Sequence, residues 1–156
     1  MTFYIKQRFF SWGETSIYDS AGNEIFHAVP EIFTFGRKLH IFDALDNELV
    51  YIKQKVFSFL PRYFVYRGET EIAEVIKEFT FFKHEYTVSG PDWSVHGDFF
   101  DHEYEISDGT KTIASVSKEW FTLGDAYEIT VNDSADIPLA LAIVLIIDAC
   151  IDDAQD

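Results

Sequence analysis

Two stretches of this chain carry side chains that can do chemistry. The first, His96-Gly-Asp98-Phe-Phe-Asp101-His102-Glu103, gathers two imidazoles and three carboxylates within eight residues. That set suffices for a divalent ion if a hairpin brings His96, Asp98 and His102 together. Its spacing matches no recurring ligand pattern, however, and a polar hairpin turn has the same composition. The second stretch is basic: Arg37, Lys38, Lys53, Lys55, Arg62 and Arg67 lie in the middle of the N-terminal portion. Lys53 and Lys55 share one face of a strand by the two-residue period. Converging on one rim, such side chains would hold an anionic lipid head group or another small anion, arginine through bidentate contacts and lysine as a point charge. The blander account is an ordinary solvated face interleaved with acids. Phe57-Ser-Phe-Leu-Pro61 beside them reads as a packed corner in preference to a membrane-dipping loop.

Other candidates fall away on chemical grounds. Asp148, Asp152 and Asp153 form an acidic cluster, but oxygen donors on a regular helix do not wrap a calcium ion. They read as the point where an apolar segment re-enters water. No GxSxG elbow, P-loop, dinucleotide-binding glycine pattern or HExxH helix occurs, so neither an enzyme nor a cofactor is expected. The single cysteine, Cys150, forms no internal disulfide and fits buried packing in a reducing cytosol. The opening segment, MTFYIKQRFF, carries Lys6 and Arg8 and lacks the apolar core of a secretory signal.

The elements that position these residues follow from hydrophobic periodicity. Alternating runs separated by turn signals predict twelve strands: 2–9, 15–19, 24–29, 38–43, 48–56, 62–66, 71–79, 85–89, 93–99, 103–107, 112–119 and 126–131. A repeat runs beneath them. Ile72-Ala-Glu-Val-Ile-Lys-Glu-Phe79 and Ile113-Ala-Ser-Val-Ser-Lys-Glu-Trp120 agree at five of eight positions, and fourteen residues after each first Ile stands a Tyr, Tyr86 or Tyr127. Leu49 and Tyr63 keep the same spacing, with Ile25 and Leu39 as a degenerate copy. Hairpins of this kind have one apolar face and two unpaired edges, and closure into a barrel removes both liabilities.

The run Ile137 to Ile147, IPLALAIVLII, is apolar on every side. A helix of that kind must be surrounded by protein or lipid, and eleven residues fall well short of the roughly 20 that span a bilayer. The fold expected is a mainly β single domain over 1–156: a closed antiparallel barrel of about twelve strands around a central helix at about 136–152, with Asp136 as N-cap and Pro138 in its first turn. The net charge is −15, concentrated in the second half. Residues 1–83 hold ten Lys/Arg against eleven Asp/Glu, and residues 84–156 hold two against sixteen. Such a field repels phosphate backbones, which argues against nucleic acid.

Several of these features together resemble one family. The twelve strands in hairpins, the turn Asp19-Ser-Ala-Gly22, the IAxVxKE strand at Ile113 to Glu119, the YEITV at Tyr127 to Val131 and the apolar terminal helix are similar to the LURP-one-related family. That family is grouped with tubby C-terminal domains and phospholipid scramblases. The resemblance implies a twelve-stranded barrel around a C-terminal helix. Tubby domains bind phosphoinositide head groups and scramblases are associated with calcium and membranes, but neither group's functional residues match here one by one. The functional expectation is a cytoplasmic, non-enzymatic binding module that docks an anionic phospholipid or small anion at its basic rim, at the inner membrane surface. The alternative is a scaffold or regulator that recognises a protein through the acidic C-terminal half.

Overall fold

The computed structural model describes residues 1–6, 13–79, 84–121 and 124–155. Its strands are β1 (Thr2–Lys6), β2 (Thr15–Tyr18), β3 (Glu24–Pro30), β4 (Lys38–Asp43), β5 (Glu48–Gln54), β6 (Arg62–Arg67), β7 (Thr70–Phe79), β8 (His84–Ser89), β9 (Trp93–Asp98), β10 (Glu103–Ser107), β11 (Thr112–Phe121) and β12 (Gly124–Val131). Every neighbour in sequence is a neighbour in the sheet, and β1 pairs with β12 to close the barrel. All twelve expected strands are present; residues 7–9 of the first lie outside the described residues.

Period-two alternation decides which side chains enter the barrel. In β5, Val50 and Ile52 are buried while Lys53 is exposed, and in β6 buried Tyr63 and Val65 alternate with half-buried Arg62, Phe64 and Tyr66. The centre is filled by α1 (Ile137–Gln155). Leu141, Ile143, Ile146 and Ile147 are fully buried, and each such side chain contributes about 1.5–3 kcal/mol relative to exposure. Asp136 caps the helix as expected: its Oδ1 accepts from Leu139 N at 3.2 Å, and Ala140 N donates to Asp136 O at 3.0 Å. No helix among the described residues is long and apolar enough to cross a membrane.

One expectation about the helix is corrected. Burial does not end at Ile147, because Ala149, Cys150 and Ile151 are also buried and the helix runs on to Gln155. Asp148 does not return the chain to water. It stays mostly enclosed, with its carboxylate 3.4 Å from His102 Nδ1.

The barrel has two unlike ends. Up-and-down pairing places the β2–β3, β4–β5 and β10–β11 turns at the end where the helix begins, and the β3–β4, β5–β6 and β9–β10 connections where it finishes. The turns of the first end are held by aspartates: Asp19 Oδ1 accepts from Ala21 N and Asn23 N, and Asp43 Oδ1 from Leu45 N and Asn47 N, each at 2.9 Å. The connections at the second end carry the residues of functional interest.

Candidate functional site

The basic residues divide between the two ends. Arg37, Lys38, Lys53, Lys55 and Arg62 gather where the helix finishes. Lys38 is the register partner of Lys53 across β4 and β5, and Lys55 N donates to Arg62 O at 2.9 Å. Since Leu39 and Ile52 beside them point inward, Lys38 and Lys53 project together from the outer wall. Arg37 pairs with Asp153 on the last turn of the helix, and Arg62 with Glu74 at 2.8 Å. Among the described residues, Lys38, Lys53 and Lys55 have no ion-pair partner.

Arg67 does not join them, which corrects the six-residue rim. It lies at the far end of β6, where its guanidinium donates to both carboxylate oxygens of Asp136 at 2.9 Å. The seventeen helical steps from Asp136 to Asp153 separate these two pairs by about 25 Å. Arg67 thus fastens the start of the helix and Arg37 its finish.

The loops at the basic end correct a second expectation. Phe57 and Phe59 are not a packed corner: each is fully exposed, at 100% and 102%. The β3–β4 connection beside them presents Ile32, Phe33 and Phe35 at 75%, 102% and 88%. The two connections are tied together at their bases. Arg37 N donates to Gln54 Oε1 and Gln54 N to Arg37 O, both at 2.8 Å, and Gly36 sits so close to Val56 that a β-carbon would lie 3.0 Å from its Cγ2. Glu31, at the foot of the first loop, accepts from Glu-flanked His40 in β4, whose Nε2 lies 3.0 Å away and whose other nitrogen contacts Glu48.

The metal candidates do not meet. His96 follows inward-facing Val95, so it points outward, where it is 55% exposed and lies 3.4 Å from Glu85. Asp98 Oδ1 accepts from Asp101 N at 3.1 Å within its own turn. His102 turns into the barrel, its ring stacked on Tyr127 with centroids 4.3 Å apart. No three His, Cys, Asp or Glu side chains among the described residues are grouped to hold a metal ion.

Beneath the loops, a ring of inward-facing tyrosines surrounds the finish of the helix, and it gives the fourteen-residue repeat a physical meaning. Tyr63, Tyr86 and Tyr127, the repeat positions, together with Tyr104, are all buried near the same end of the barrel. The rings pack on the apolar helix; the Tyr127 hydroxyl lies 3.2 Å from His102 Nε2, whereas the buried Tyr63 and Tyr104 hydroxyls have no hydrogen-bond partner among the described residues. Burial, and then the Asp148 charge, holds the Tyr104 phenol far above its ordinary range. Burial does the same to Tyr63 and Tyr86, and pushes the Cys150 thiol up to about 11.

These acids ionise less readily folded than unfolded. The stability they contribute is therefore complete below the ordinary thiol and phenol values of 9.0 and 10.0 and is lost as pH climbs toward and beyond about 11. Thermal unfolding is expected to move down across that alkaline window. At neutral pH, Cys150 should react with a thiol reagent at least about a hundredfold more slowly in the native protein than in urea. Equal rates in the two states would contradict the enclosed position of the last helical turns.

A LURP-one-related family profile matches residues 1–148. The uncharacterized protein YxjI of Bacillus subtilis (strain 168) is 33% identical over 154 residues, which cover 98% of this chain and 95% of YxjI. The fold is similar to the X-ray structure of an Arabidopsis thaliana protein, with a TM-score of 0.70 and 18% identity over 99% of this chain and 91% of that one. With the profile spanning nearly the whole barrel and one residue in three shared with YxjI, the chain belongs to the LURP-one-related family.

Proposed function

We propose that this protein is a non-enzymatic binding module that docks on an anionic lipid surface, at the cytoplasmic face of a membrane, through the end of the barrel where the helix finishes. The observation that carries this reading is the Lys38–Lys53 pair. Two like charges directly opposite across a β ladder destabilise the sheet, and here neither is neutralised by a carboxylate among the described residues. Lys55 adds a third ammonium group at the same end. An arrangement that costs stability in the free protein is relieved when an anionic surface supplies the counter-charge. The absence from the sequence of any recognised catalytic motif supports a binding role over an enzymatic one.

Co-sedimentation with phosphatidylglycerol-containing and with neutral vesicles tests the proposal. Retention is expected on the anionic vesicles and should weaken steeply with salt. Each lysine near such a surface contributes about 1 kcal/mol, so Lys38→Gln with Lys53→Gln should weaken retention about thirtyfold. A wild-type protein that stays in the supernatant at low salt would overturn the reading. Recognition of a protein partner through the acidic half would survive both substitutions.

A further inference from the structure

We infer that docking is not by charge alone: Phe33, Phe35, Phe57 and Phe59 insert as a rigid aromatic crown into the bilayer, below the level of the lysines. This deepens the lipid-docking proposal and rests on it. The two loops are copies of one device. Phe33-Thr-Phe35 and Phe57-Ser-Phe59 share the pattern Phe, small hydroxyl residue, Phe, and the first Phe of each has left-handed backbone, with φ of 59° and 61°.

Neither packing nor backbone preference accounts for that choice. A bulky residue at positive φ is an outlier, and glycine or asparagine would sit there more easily. Burial offers no compensation either, since the four rings are 88% to 102% exposed. A fold selected for stability alone would have neither the exposed rings nor the strained backbone, and residues held at such a cost concentrate at functional sites. The bases of the loops are cross-braced through Arg37 and Gln54 and through the Gly36–Val56 contact, so the crown stands already shaped for its partner.

The chemistry beside the crown selects the occupant. Lys55 lies two residues before Phe57, so their α-carbons are at most about 7 Å apart. Lys38 and Lys53 stand on the strands just behind. Aromatic rings ahead of a lysine collar match the layering of a membrane, where acyl chains lie beneath anionic head groups. The opposite end of the barrel carries acidic turns at Asp19, Asp43 and Asp108 in place of such a lysine collar.

The strained backbone supplies a decisive variant. Replacing Phe33→Gly and Phe57→Gly relieves left-handed strain and removes two anchors at once. The double variant is expected to unfold at the same temperature as wild type or higher, while its partitioning into mixed phosphatidylcholine–phosphatidylglycerol vesicles falls at least about tenfold. In parallel, the added fluorescence of Phe59→Trp should shift to the blue on those vesicles and be quenched by lipids brominated in mid-chain. Undiminished binding of the glycine variant with no quenching would overturn insertion and leave charge-driven docking standing. Absence of wild-type binding to anionic vesicles would remove both. A concentration-dependent dimer that the glycine variant abolishes, without vesicle binding, would assign the crown to a second copy of this chain instead.

Discussion

A chain ending at Asp136 will not accumulate as a soluble, cooperatively folded monomer. Twelve strands about 4.8 Å apart and tilted by about 40° close at a diameter of roughly 24 Å between opposite backbones. A helix with its side chains occupies about 10–12 Å of that span. The remaining 6–7 Å or so on each side is the reach of one layer of inward-facing residues, here Ile52, Val65, Val75, Val95 and their equivalents. Without α1 those residues line a hollow too wide to fill and too apolar to hydrate. The single substitution Ile143→Asp places a carboxylate at a position with 0% exposure, with no buried charged residue among the described residues to pair with it. Its cost, several kcal/mol, is comparable to the total stability of a domain of this size. Size-exclusion chromatography and urea unfolding of both variants are the measurements. A truncated chain that remains monomeric with a single steep transition would refute the threaded core.

Gly97→Ala is expected to be the most damaging conservative change in the strands. Gly97 opposes Tyr104 across β9 and β10, with a φ of +148°. An added β-carbon would lie 2.4 Å from Glu103 O, 2.5 Å from Tyr104 Cα and 2.7 Å from Tyr104 Cβ. The first two are backbone atoms that cannot swing aside, and they belong to the strand that delivers Tyr104 to the tyrosine ring. A loss of about 3 kcal/mol or more is expected, which lowers the unfolding temperature of a chain this long by about 10 °C. Gly22→Ala is the control: its φ is +86°, but nothing lies within 4 Å of the added carbon. It should cost only about 1 kcal/mol. Similar midpoints for the two variants would show that the β9–β10 approach is looser than described.

The architecture was legible because each of its devices is written locally. Alternation in runs such as Glu48–Gln54 reports which residues face inward, the apolar run at 137–147 has no water-facing side, and Asp136 and Pro138 announce a helix start. The site was legible only as composition. Which end a lysine occupies depends on the parity of the connection it flanks. Arg62 and Arg67 show the difficulty: they lie on one strand, five residues and about 17 Å apart, and so at opposite ends of the barrel. Phe57 and Phe59 were misread because phenylalanine is so often buried. The signal that corrects them, the second Phe-x-Phe at Phe33 and Phe35, was present but gains meaning only when two connections are seen side by side. His96 and His102 are close in sequence, but strand alternation turns the first outward, beside Glu85, and the second lies inside the barrel, beside Asp148.

The order of the elements along the chain has a consequence for biosynthesis. The barrel is closed by the pairing of β1 with β12, and its interior is filled by α1, which follows both in the chain. Nascent strands leaving the ribosome therefore meet neither their seam nor their core until β12 and then α1 have been made. Hairpins can pair as they emerge, but their apolar faces stay open until α1 has left the ribosome, so the decisive collapse awaits that segment. A chain built in this order exposes apolar faces while it is being made, and a stop anywhere upstream of α1 leaves strands with nothing to enclose.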